Sequence, residues 1–276
     1  MRAYIAALCD ESAWQAWQPL EGSLLGAALP ACGGLYRIRL VHEIGQRMAY
    51  IGQSGNLKER VYALRHVYGA LMPYKVPHAA GPALWSWRQK CPSSRYEVSV
   101  APFPTVPPVL RLGLECLAIA LSRQEHQASP LCQFGRMPTG TTSQFLDCHR
   151  PGLAPHGPLV GDPHARTWCG QSWSPWIALH RLQPLGNSGL YRLRVPSLDV
   201  LVFLGQGKLA ERLRAVAPLQ GMECSWVANN TWLHQQRLEL LTDLIGAHLR
   251  SMAALPLWQF EPSHNGPGGD SQQKVS

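Results

Sequence analysis

Near residue 40 the chain alternates apolar and polar positions with the period of a strand. Leu35, Arg37 and Arg39 fall on one side, and Tyr36, Ile38 and Leu40 on the other. This predicts a strand from Leu35 to Val41. A polar turn near His42–Gln46 then leads to a second strand, Met48 to Gly52, an antiparallel hairpin by its spacing. Ser54 to Asn56 offers cap chemistry for a helix over Leu57–Tyr68. Pro73, Pro77, Gly81 and Pro82 make residues 69–82 a loop. A short helical piece carries Trp85 and Trp87, and Arg95 to Val100 alternates like a strand until the Pro-rich run Pro102–Pro108 ends it. Leu110 to Gln124 reads as an amphipathic helix with Leu110, Leu114, Leu117, Ala118 and Leu121 as its apolar stripe.

The same order recurs further on. Strands are expected at 189–195 and 199–205, a helix at 207–216, a strand at 222–228 and a helix at 231–250. The wording recurs with it. Gly34-Leu35-Tyr36-Arg37-Ile38-Arg39 is echoed by Gly189-Leu190-Tyr191-Arg192-Leu193-Arg194, and Tyr50-Ile51-Gly52-Gln53 by Phe203-Leu204-Gly205-Gln206. Leu57 and Arg60 are matched by Leu209 and Arg212, and Pro130-Leu131-Cys132-Gln133-Phe134 by Pro256-Leu257-Trp258-Gln259-Phe260. Echoes in one order mean internal duplication. The fold class is therefore α+β: two units of domain size, each a small antiparallel sheet flanked by helices. Residues 1–32 read as an N-terminal extension in which Ser12 caps a helix carrying Trp14 and Trp17. Residues 33–134 form the first unit, 135–187 an ordered connector rich in Pro, Gly, His and Trp, 188–260 the second unit, and 261–276 a disordered tail.

Composition narrows the partners. Among 276 residues, 25 Lys and Arg outnumber 17 Asp and Glu, for a net charge of +8. Arg forks match phosphate geometry, so an anionic partner is expected; a mildly basic surface without meaning gives the same charge. No stretch approaches the length of a membrane span, and the first ten residues lack the form of a signal peptide. The eight scattered Cys then read as reduced thiols in a cytoplasmic protein.

Tyr36 and Tyr50 stand on adjacent strands, Arg60 one turn into the next helix, and Glu115 on a later helix beside its apolar stripe. A carboxylate, an Arg and two phenols suit phosphodiester hydrolysis. The carboxylate can hold a hard divalent cation, cation and Arg can offset charge on phosphorus, and a phenol can orient or deprotonate water. Taken singly, the tyrosines read as strand aromatics filling a core, Arg60 as a solvated helix residue and Glu115 as a surface carboxylate.

Gly-Leu-Tyr, then Tyr-Ile-Gly-Gln-Ser-x-Asn-Leu-x-x-Arg, then a Glu on a later helix, resembles the GIY-YIG nuclease family, with Gly34, Tyr36, Tyr50, Gly52, Asn56, Leu57 and Arg60 all in place. The resemblance implies a DNA endonuclease using Mg²⁺ or Mn²⁺. Tyr36 would activate water, Tyr50 support it, Arg60 clamp phosphate and Glu115 hold the metal. The family's downstream Asn is replaced here by Gln133. His78, in the loop after the Arg60 helix, is a candidate acid or base, or a structural hydrogen-bonder. Glu97 and Glu125 stand in reserve for Glu115, and His66 is at most a phosphate contact. Arg37, Arg39, Lys58, Arg65 and Gln133 are candidate nucleic-acid contacts. DNA is the expected partner, with a homodimer or a partner subunit open.

The second copy keeps Tyr191 and Arg212 but has Phe203 for Tyr50 and Leu241 where Glu115 is expected. Glu239 and Asp243 point off that helix face. It is expected to bind no metal and cut nothing, and either to support the fold or to hold substrate through basic surface near Arg192, Arg194, Arg212 and Arg214. Cys132, Cys148, His149, His156, His164 and Cys169 crowd together, which leaves a structural zinc conceivable, but no Cys-x-x-Cys or comparable spacing supports it. The rival account is a catalytically inactive nucleic-acid-binding or scaffold protein.

Overall fold

A computed structural model of the chain describes residues 1–22, 29–73, 80–140, 151–181, 186–216 and 221–261. Among them are two four-stranded antiparallel sheets and six helices, a mixed α+β fold. The chain divides into two compact units, residues 2–118 with 129–151, and residues 119–128 with 152–274.

The first sheet holds β1 (Gln18–Pro19), β2 (Gly34–His42), β3 (Gly45–Ser54) and β4 (Arg95–Pro102), in the order β1-β4-β2-β3. Helices α1 (Arg2–Cys9), α2 (Leu57–Leu64) and α3 (Ala80–Lys90) belong to the same unit, as does the first part of α4 (Pro108–His126). The alternation read between residues 35 and 41 survives as two sheet faces. Tyr36, Ile38 and Leu40 join the apolar core with Leu57, Val61 and Leu64 of α2. The Asn56 side chain caps α2 by accepting from Glu59 N–H at 3.2 Å. Helix α4 is buried all round from Gly113 to Ala120, so the expected polar face is absent along that stretch.

The second sheet repeats the plan with β5 (Ile177–Ala178), β6 (Ser188–Val195), β7 (Val200–Lys208) and β8 (Glu223–Ala228), ordered β5-β8-β6-β7. Helices α5 (Leu209–Val216) and α6 (His234–Met252) follow their counterparts α2 and α4. The hairpins even share an irregularity, a register shift between Ile38 and Arg39 and between Leu193 and Arg194.

The third echo has a defined mechanical task in both units. Leu131 and Cys132 N–H donate to the carbonyls of Met48 and Ala49 on the outer edge of β3, at 3.0 and 2.8 Å. Leu257 and Trp258 do the same to Leu201 and Val202 on β7, at 3.2 and 2.8 Å. One step further, the Gln133 Oε1 accepts from Ile51 N–H at 3.1 Å, and the Gln259 Oε1 from Leu204 N–H at 3.1 Å. The segment thus covers an edge that would otherwise offer unpaired backbone groups.

The segment read as an N-terminal extension supplies the fourth strand of the first sheet, with Gln18 paired to Val98. Trp14 and Trp17 stand on extended chain before β1, not on a helix; the helix lies earlier, at Arg2–Cys9. The tail and the loop residues 74–79, with His78 among them, lie outside the described residues.

Candidate functional site

Tyr36 and Tyr50 are diagonal neighbours across β2 and β3, because Tyr36 lies opposite Gly52 and Ile38 opposite Tyr50. Both are buried, and their rings stack with centroids 6.1 Å apart. The missing side chain at Gly52 makes this possible. A Cβ there would sit 2.5 Å from the Tyr36 hydroxyl and 2.8 Å from Cε1 of Tyr50. Burial pushes both phenols well above their usual range. At Tyr36 the opposing influences are the Arg60 guanidinium, a hydrogen bond with it, and a hydrogen bond with Tyr50.

Glu115 lies on α4 and is wholly inaccessible to solvent. Apart from the Gln53 backbone amide, neither carboxylate oxygen reaches a hydrogen-bond partner among the described residues. Burial pushes its pKa well up; the nearby Gln53 backbone amide and the Arg60 guanidinium favour the ionised form without offsetting it. The structure therefore brings together Tyr36, Tyr50, Arg60 and Glu115, the four residues singled out for catalysis that lie among the described ones. Arg60 is half-buried on α2. A buried carboxylate with open acceptor sites, beside an Arg and two phenols, is a donor set that fits one hard divalent cation. Among the described residues no three His, Cys, Asp or Glu side chains converge on one point. Glu115 would be the cation's single protein carboxylate.

The candidate nucleic-acid contacts separate into two groups. Lys58 is exposed on α2, and Arg65 is half-buried with its guanidinium 5.3 Å from the Tyr62 ring. The other three are held inside the fold. Gln133 is buried and its amide oxygen is committed to Ile51. Arg37 and Arg39 lie on the sheet face opposite Tyr36. Arg37 stacks on Trp14 and Trp17, at 4.5 and 4.7 Å from the ring centroids, and pairs with Glu11 at 2.8 Å. Arg39 stacks on Trp17 at 4.3 Å and pairs with Glu97 at 2.6 Å. Glu97 is thus engaged away from the site, and Glu125 lies exposed near His126.

The second unit repeats this ladder position by position. Arg192 stacks on Trp173 and Trp176, and Arg194 on Trp176. Arg194 pairs with Glu223 at 2.7 Å. Arg192 is fully buried and donates to the carbonyls of Pro163 and Ala165, at 2.5 and 3.0 Å, so it cannot offer the basic surface expected of it. Its burial lowers its pKa to about 9. Reading the sequence missed the ladder, although Trp14-x-x-Trp17-x-x-Leu20 and Trp173-x-x-Trp176-x-x-Leu179 carry its signal. A second missed echo, Arg-Leu-x-Leu, begins at Arg111 and at Arg237. Arg111 donates to the Gln53 side chain at 3.4 Å and to the Val106 carbonyl at 3.0 Å; Arg237 donates to Gln206 at 3.1 Å and to the Trp232 carbonyl.

At the position of the site, the second unit packs Tyr191 against Phe203, tilted, with centroids 5.9 Å apart. Arg212 lies close enough to Tyr191 to oppose the burial that raises its phenol to about 12. Leu241 is buried where the first unit has Glu115. Glu239 and Asp243, though buried, serve Arg123: Asp243 receives two hydrogen bonds from it, at 2.8 and 3.0 Å, and Glu239 lies 3.5 Å away. Of the connector's Cys and His residues, Cys148 and His149 lie outside the described residues. His156 bonds Gln171 at 2.9 Å, and His164 packs at a tilt against Trp176.

No family model matches the chain, and neither the curated proteins nor the solved structures compared with it provide a match.

Proposed function

We propose that the chain is a metal-dependent DNA endonuclease of GIY-YIG type whose single active site lies in the first unit. The observation that carries this reading is Glu115, fully buried with the Gln53 backbone amide as its one hydrogen-bond donor among the described residues, and set beside Arg60, Tyr36 and Tyr50. Burying an acid with so few partners is costly, and a structural role alone gives little return for it. A divalent cation held there would supply charge stabilisation at the scissile phosphate. The chain's own residues do the rest. Arg60 holds a non-bridging phosphate oxygen and offsets charge that builds on it. Tyr36, protonated at neutral pH by its burial, orients the attacking water through its hydroxyl; deprotonating that water requires its pKa to fall. Tyr50 fixes the Tyr36 ring, and the apolar walls keep bulk water from the carboxylate.

The net charge of +8 and the exposed Lys58 support a polyanionic substrate. A second reading, a scaffold that binds nucleic acid without cutting, draws on a specific observation: Tyr36 and Tyr50 are almost wholly closed to solvent. Supercoiled plasmid incubated with Mg²⁺ or Mn²⁺ separates the two. The nuclease reading expects conversion to nicked or linear forms by the wild type, lost in Glu115→Ala and in Tyr36→Phe. Salt-sensitive binding with no cutting in any cation favours the scaffold.

A further inference from the structure

A groove lies along the far part of the α2 segment, walled by Tyr62, Arg65, His66 and Tyr68, with Glu21 and Gly22 on its other side. Its volume is about 330 Å³, at the small end of the roughly 300–1,000 Å³ of ligand sites and suited to one nucleotide-sized group. Tyr62 leaves 60% of its surface exposed, with Arg65 over its ring at 5.3 Å. Tyr68 is a fixed wall. Its hydroxyl accepts from Tyr96 N–H at 3.0 Å, and Arg88 stacks on its ring at 4.9 Å.

We infer that this groove seats one unpaired nucleobase bearing an exocyclic amine, in the strand that runs past the active site. The inference rests on the nuclease reading for its substrate. Tyr62 offers a π face to the base, and base–aromatic stacking is indifferent to the identity of the base. Arg65 and His66 stand where the adjoining phosphate would pass. The Glu21 side chain offers carboxylate acceptors, so it favours a base that presents N–H₂ and disfavours one that presents only oxygen at the same position. The two copies support the assignment by their difference. By register, Tyr62 corresponds to Arg214 and Glu21 to His180 in the second unit. The aromatic platform and the carboxylate therefore occur in the copy that also carries Tyr50 and Glu115. The groove and Arg60 share one helix, but Tyr62 follows Arg60 by two residues and so faces a different side of it; the strand passes round α2 to reach both.

Fluorescence anisotropy with labelled 12-mers of dC and of dT, on the full chain in EDTA, measures this without cleavage. The wild type should bind dC about fivefold or more tighter than dT. Tyr62→Ala should weaken both by about tenfold. Glu21→Gln, which supplies an amide donor in place of a pure acceptor, should abolish the preference for dC. Tyr62 is exposed, so its loss leaves the core intact. Equal binding of dC and dT by the wild type, or unchanged binding by Tyr62→Ala, overturns the inference. Plasmid cleavage by the same proteins in Mg²⁺ keeps the two readings apart. Cleavage lost only in Glu115→Ala, with Tyr62→Ala binding normally, removes the groove and keeps the nuclease. Tyr62-dependent, dC-selective binding without cleavage in any cation keeps the groove and removes the nuclease.

Discussion

Glu115 and Gly52 show how much of the site depends on single atoms. The carboxylate was legible from its distance to the third echo, but its total burial was not. A helix stripe can be read from spacing, whereas burial of the remaining face depends on what packs there, and α4 is covered all round at Glu115. Gly52 was legible only as part of a motif. Its physical reason appears once Tyr36 and Tyr50 converge over the strand: a methyl group at that position collides with both rings. Gly52→Ala should therefore destabilise the chain by about 1–3 kcal/mol, as expected of overpacking in a core. Urea denaturation should show a lower midpoint with an unchanged slope. A midpoint equal to that of the wild type would mean that the two phenols can move apart freely.

At the scale of elements, the hairpins, the long helices and the duplication itself were readable, because alternation and helical period are local signals. Two things were not. Arg37 and Arg39 looked like free cations on a strand; their partners are tryptophans about twenty residues away, on a short segment whose two-residue strand is too brief to announce itself by pattern. Gln133 looked like a substrate contact, since sequence cannot distinguish an amide that meets a ligand from one that completes the edge of a sheet. The α6 helix carries a further consequence. His248 lies buried in its last turns, with Nδ1 2.9 Å from the Ala254 carbonyl, and burial lowers its pKa to about 4. Below its ordinary value of 6.5 the unfolded chain takes up a proton that the folded chain refuses until about pH 4. The unfolded state then binds more protons, so stability falls as pH drops through that window, by about 3 kcal/mol at most. His248→Gln should flatten the pH dependence of the urea midpoint between pH 6.5 and 4; an unchanged slope would show that His248 is not the group responsible.

For the whole molecule, duplication provides its own comparison. The Trp–Arg ladder, the Arg111–Gln53 contact and the Gln133 edge clamp all recur in the second unit at matching positions. They recur in a copy that has Leu241 and Phe203 where the first has Glu115 and Tyr50, so they serve the fold and not the proposed chemistry. What differs between the copies is the candidate chemistry. Arg60 and Arg212 make the most direct contrast: each lies near a buried tyrosine, and Arg60 also lies near the buried Glu115, whose position in the second unit is taken by Leu241.

The most direct test is the initial rate at which a labelled DNA duplex is cut in Mn²⁺ by the wild type, Glu115→Gln and Arg212→Ala. One active site built on Glu115 predicts a loss on the order of 10³-fold in Glu115→Gln and a rate close to the wild type's in Arg212→Ala. Cutting that survives in Glu115→Gln, or that falls equally in both variants, would contradict it.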